Sequence, residues 1–82
     1  MIVPTKVLKK EENYEIALMV FPIFEEEKTI YEFHLVKFSH SETNTLKVKE
    51  YAPPLELEKI SKEFGVKPED LKELLEKLGY KA

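Results

Sequence analysis

An α+β fold is predicted, with a four-stranded antiparallel β-meander followed by a C-terminal two-helix hairpin packed on one sheet face. Three observations predict it. Residues 2–52 break into apolar, β-branched and aromatic runs separated by short polar turns. Pro53-Pro54 ends that pattern. Residues 55–79 then change to helical spacing, with a glycine after each apolar stripe. The 82 residues fit a single domain over 1–82, just above the size at which a lone core needs disulfide or metal staples.

The elements follow in order. Val3 to Leu8 is the first strand, and Pro4 marks it as an edge or a strand start. Lys10 to Asn13 is a polar turn. Tyr14 to Phe24 is a long run of strand formers, closed by the turn Glu25 to Lys28. Thr29 to Phe38 is the third strand, Ser39 to Asn44 a loop, and Thr45 to Tyr51 an alternating fourth strand. In the first helix Leu57, Ile60 and Phe64 share a face, and Gly65 stops it. In the second, Pro68 occupies the first turn while Glu69 and Asp70 favour the positive end of the helix dipole. Leu71, Leu74, Leu75 and Leu78 form its apolar face, and Gly79 stops it.

Composition narrows habitat and function. All 13 basic residues are Lys, 15 of the 16 acids are Glu, and Gln, Trp and Cys are missing. Abundant Lys and Glu with few thermolabile residues is the hyperthermophile pattern, and a hyperthermophilic archaeal source is expected. The absence of Cys excludes disulfides, thiolate metal sites and cysteine nucleophiles. No apolar run approaches a membrane span and no signal peptide is recognisable, so a cytoplasmic protein is expected. Without Arg the usual bidentate reader of guanine edges and phosphates is lacking. A net charge of −3 also disfavours a general nucleic-acid binder.

The chemistry-bearing residues are sparse. His34 lies mid-strand and His40 in a Ser/Thr-rich loop near Glu42. Zinc needs three or four protein ligands at suitable spacing, and no metal or cofactor is expected. Ser39 and Ser41 flank His40, but an activated serine needs a base oriented by a third group from across the fold. The carboxylate runs fall in turns and at a helix start, where they are solvated or stabilise a dipole. Gly65 and Gly79 are helix stops, so no glycine-rich phosphate loop is formed. No catalytic residues are assigned.

Two surfaces remain as candidates. The second strand is apolar on both sides apart from Glu15, yet two short helices cover only one sheet face. Met19, Phe21 and Ile23 therefore read as a protein interface, against a second subunit or another protein. The alternative is a central strand whose other face is covered by loops and lysine stems. The second candidate is Lys47, Lys49 and Tyr51, which share a face with Thr45 opposite Leu46 and Val48. Lysines beside an aromatic on a sheet face can hold a nucleic-acid single strand by charge and stacking. An ordinary solvent face with edge-protecting lysines gives the same pattern.

The segment from Leu57 to Gly79 has Ile60, Ser61, Phe64, Gly65 and Val66 around its turn and Leu71, Leu74, Leu75 and Leu78 after it. In these residues it resembles the small helical module at the N-terminus of bacterial translation initiation factor two. It also resembles the second and third helices of helix-turn-helix DNA-binding domains. The resemblance implies a bihelical turn in which Ser61 lets the helices approach, Gly65 permits the turn and Val66 plugs it. It does not imply DNA reading, because Glu69, Asp70, Glu73 and Glu76 would repel phosphate.

The expectation is a non-enzymatic interaction or regulatory module, homodimeric or a subunit of a larger complex, acting through Met19, Phe21 and Ile23. The alternative is a nucleic-acid-binding regulator using the Lys47, Lys49 and Tyr51 face with the helical hairpin.

Overall fold

Each polar turn in the sequence reverses the chain. The computed structural model describes residues 3–81. It contains β1 (Thr5–Lys10), β2 (Tyr14–Phe24), β3 (Thr29–Ser39), β4 (Thr43–Tyr51), α1 (Leu57–Phe64) and α2 (Pro68–Glu76). The strands form one antiparallel sheet in the order β1-β2-β3-β4, and the two helices follow it, as the α+β reading predicts. Among the described residues no helix is long and apolar enough to cross a membrane. Ile2, the first residue of the expected β segment, lies outside the described residues.

β1 begins two residues later than the sequence reading places it and continues through Lys10. Pro4 has no N–H to offer a ladder, and only its carbonyl takes part, accepting from the Val20 N–H at 3.2 Å. That contact is where β1 runs out along β2. Pro22, two residues further on, turns the same backbone edge outward, so its missing donor faces no strand among the described residues. A proline is thereby accommodated in the long strand that carries the core.

β2 and β3 pair without interruption from Tyr14 opposite Ser39 to Phe24 opposite Thr29. Both edge strands are irregular. In β1 the register shifts between Val7 and Lys9, and in β4 Leu35 pairs with Lys47 while Val36 pairs with Thr45. Leu8 and Leu46 are the extra residues. Bulges on edge strands increase the local twist and blunt the ladder against pairing with another chain.

The core lies between one sheet face and the helix pair. Leu18, Val20, Tyr31 and Phe33 meet Ile60, Phe64, Val66, Leu71, Leu74 and Leu75 there, all of them buried. Of the helical stripes drawn from spacing, Ile60, Phe64, Leu71, Leu74 and Leu75 are buried, Leu57 and Leu78 are partly buried, and Ser61 joins the buried residues of α1. Gly65 caps α1 at φ +67°, a left-handed conformation that costs a residue with a Cβ about 1 kcal/mol or more. Its N–H and that of Val66 both donate to the Ser61 carbonyl. The buried Ser61 hydroxyl donates to the Val66 carbonyl, so one side chain ties both sides of the turn.

The last described residues complete the core. The Tyr80 hydroxyl accepts from the Leu55 N–H at 3.1 Å, and its ring meets Tyr31 edge-on at 5.5 Å between centroids.

Candidate interaction surface

Antiparallel register sorts the side chains into two faces, since directly paired residues point the same way. On the helix side lie Lys6, Leu18, Leu35 and Lys47 in one row and Val20, Phe33 and Lys49 in the next. On the other side lie Val7, Ala17, Val36 and Thr45 in one row and Thr5, Met19, His34 and Val48 in the next. Phe21, Glu32 and Glu50 form a third row there, and Ile23 with Ile30 a fourth.

No helix of the described residues covers that second face. Met19, Phe21 and Ile23 all lie on it and are half-buried by their neighbours alone. Ala17 and Val36 are buried there too, because a small side chain at the centre of the face is shielded by its cross-strand neighbours. The rim is open: Val7 is 46% exposed and Val48 48%. His34 sits in the middle of the face with its ring edge-on to Phe21, 4.7 Å between centroids, and its Nε2 meets the Glu32 carboxylate. Strand periodicity puts His34 mid-strand but carries no sign of this contact.

The sorting extends to charge. Lys6, Lys9, Lys37, Lys47 and Lys49 all lie on the helix side. Glu15, Glu32 and Glu50, the acids of the strands, all lie on the open side, with Lys10 opposite Glu15 and 3.7 Å from it.

The second sequence candidate is rearranged by the Leu46 bulge. Thr45 does not share the face of Lys47, Lys49 and Tyr51; the extra residue carries it to the open side. Nor do Leu46 and Val48 point inward, both being about half exposed. Lys47, Lys49 and Tyr51 face the helices. The Glu63 carboxylate of α1 pairs with Lys47 and lies 3.6 Å from Lys49. These contacts, led by the hydrogen bond from Lys47, hold the Glu63 carboxyl below the ordinary glutamate range. The Tyr51 ring packs edge-on against Phe33 at 5.5 Å.

Beyond the reach of the helices, Tyr14 lies between two lysines, with Lys37 Nζ 4.5 Å and Lys9 Nζ 5.9 Å from its ring centroid. Its hydrogen bond, with help from Glu11, holds the Lys9 ammonium above the ordinary lysine range. Of the residues considered for catalysis, Ser39 donates its hydroxyl to the Glu42 carbonyl at 3.0 Å, and His40 and Ser41 are exposed in the same hairpin loop. Among the described residues no group of three or more His, Cys, Asp or Glu is placed to hold a metal. The chain matches no protein-family model, no curated protein and no solved structure.

Proposed function

We propose that the protein is a non-enzymatic interaction module that docks through its open sheet face and works as a subunit of an assembly. One observation carries this reading. A half-buried apolar surface around Met19, Phe21 and Ile23, extended by Val7, Ile30 and Val48, lies on the sheet face opposite the helices. Contiguous apolar surface of that kind marks interaction sites on folded domains. Bulged, lysine-bearing edges argue for docking by the face rather than by strand addition. The occupant is a second copy of the chain or a different protein. A cytoplasmic setting in a hyperthermophilic archaeon belongs to the same reading, supported by the Lys- and Glu-rich composition.

Phe21→Lys tests it. The variant should keep its far-UV dichroism and thermal transition, because Phe21 lies outside the helix-packed core, and should lose association. Unfolding of the variant would make the face part of the core and end the proposal. Light scattering of the parent chain, at 9.7 kDa or twice that, identifies a second copy as occupant.

A second reading, nucleic-acid binding, draws on the five lysines of the helix side. Glu63 occupies Lys47 and Lys49, and Asp70 lies 3.5 Å from Lys6. Salt-sensitive binding of a single-stranded oligonucleotide, weakened by Lys47→Glu with Lys49→Glu, would favour it over docking by the open face.

A further inference from the structure

We infer that the occupant of the open face is a different protein, one that presents an apolar surface flanked by lysine or arginine. The inference rests on the docking role proposed above and adds the chemistry of the partner.

Charge carries the argument. The apolar rows of the open face are interrupted by Glu15, Glu32 and Glu50. Glu32 and Glu50 stand directly opposite each other across β3 and β4, an arrangement that destabilises a sheet unless a cation lies nearby. His34 contacts Glu32 from the same strand, and Glu50 has no salt bridge among the described residues. The hairpin turns at the two ends of the sheet carry Glu11 and Glu12 at one, with Glu11 3.7 Å from Lys9, and Glu25, Glu26 and Glu27 at the other, with Glu25 3.9 Å from Lys28. Five of the six strand lysines lie on the opposite side of the sheet. The surface is therefore an apolar strip along β2, from Ala17 through Met19 and Phe21 to Ile23, with Glu32 and Glu50 beside it on β3 and β4.

Two copies placed face to face would bring these glutamates together while removing them from water, which like charges oppose. Nucleic acid and anionic lipid surfaces are disfavoured for the same reason. A basic rim on the partner would neutralise Glu32 and Glu50 while its apolar centre covered Met19, Phe21 and Val48. The size is adequate. Four strands at about 4.8 Å spacing and about nine residues of about 3.3 Å rise give a footprint of roughly 600 Å², close to the ~800 Å² per partner of a standard specific interface.

The test uses two labelled amphipathic helical peptides of about 18 residues, long enough to span the face. Both carry the same leucine stripe; one is flanked by lysine and the other by glutamate. Binding is read by fluorescence anisotropy, with light scattering of the protein alone. The lysine-flanked peptide should bind, and the glutamate-flanked one should bind at least about tenfold more weakly. Phe21→Lys and Val48→Lys should each abolish binding, while Glu73→Gln and Glu76→Gln on α2 should leave it unchanged. Glu32→Lys combined with Glu50→Lys should invert the preference toward the glutamate-flanked peptide, a result that unfolding cannot imitate. Equal binding of both peptides that still depends on Phe21, or a stable dimer dispersed by Phe21→Lys, would overturn the basic partner and leave the docking face standing. Binding indifferent to Phe21 and Val48, or no binding of either peptide, would overturn the inference through the face itself.

Discussion

The Lys47 ammonium of β4 reaches the Glu63 carboxylate of α1, and lies 5.5 Å from the centroid of the adjoining Phe64 ring. The same carboxylate lies 3.6 Å from Lys49. Two successive helix-side positions of the edge strand are thus tied to a single turn of α1. On the opposite edge, Lys6 of β1 lies 3.5 Å from Asp70 of α2. Each helix is held to its own edge of the sheet by a lysine–carboxylate pair, while the apolar stripes meet over β2 and β3.

The Glu63 pairing makes a pH prediction. Its folded-state pKa is lowered, first by the Lys47 hydrogen bond and then by the charges of Lys47 and Lys49. A carboxyl lowered on folding contributes stability that is complete above its unfolded pKa and is lost as pH falls through the folded value. Glu63→Gln should therefore melt below the parent at neutral pH and approach it as pH falls below the carboxylate range. Because the pair is exposed, added salt should narrow the neutral-pH gap. Thermal melts across pH and salt read both effects.

The turn between the helices should be sensitive to single atoms. Gly65→Ala places a Cβ at φ +67°, where the space is open but the backbone conformation is unfavourable. A loss of about 1–2 kcal/mol is expected in denaturant unfolding. Ser61→Ala removes the donor to a buried carbonyl and should cost about 1–3 kcal/mol. Unaltered stability in either variant would show that the turn is not fixed by these groups.

Much of this architecture is legible in the residues themselves. Turn chemistry at Lys10–Asn13 and Glu25–Lys28 separates the strands, and the spacing of Leu71, Leu74 and Leu75 marks the buried side of α2. The β4 surface was not legible. A bulge at Leu46 carries no glycine or proline to announce it, so simple alternation puts Thr45 on the wrong face. Which side of β2 the helices take was also hidden, because both of its faces are apolar. Tyr80 follows the glycine that ends the helical pattern, and only the folded chain shows it reaching Leu55 and Tyr31. The sorting of acids from lysines across the sheet likewise needs the register of all four strands.

Tyr51 offers a substitution expected to stabilise. Its ring packs on Phe33, but its hydroxyl is buried with no hydrogen-bond partner among the described residues. Burying an unsatisfied hydroxyl costs about 1–3 kcal/mol. Tyr51→Phe keeps the ring contact and removes the cost, so the unfolding midpoint should rise; a fall would mean that the hydroxyl is satisfied in solution.

Tyr80 should separate into two contributions. Its ring meets Tyr31 edge-on at 5.5 Å, and its hydroxyl accepts the Leu55 N–H from the segment that leads into α1. Tyr80→Phe leaves the ring in place and deprives a half-buried amide of its acceptor, for an expected loss of about 1 kcal/mol. Tyr80→Ala also removes the ring from the core margin and should cost about 2–4 kcal/mol in all. The local signature distinguishes the two. Amide exchange at Leu55 should accelerate in both variants, because both lose the acceptor. Side-chain shifts at Tyr31 should move markedly only in Tyr80→Ala, because only there does the aromatic contact disappear. If Tyr80→Phe matched Tyr80→Ala in stability, the hydroxyl rather than the ring would be what fastens the C-terminal segment to the sheet.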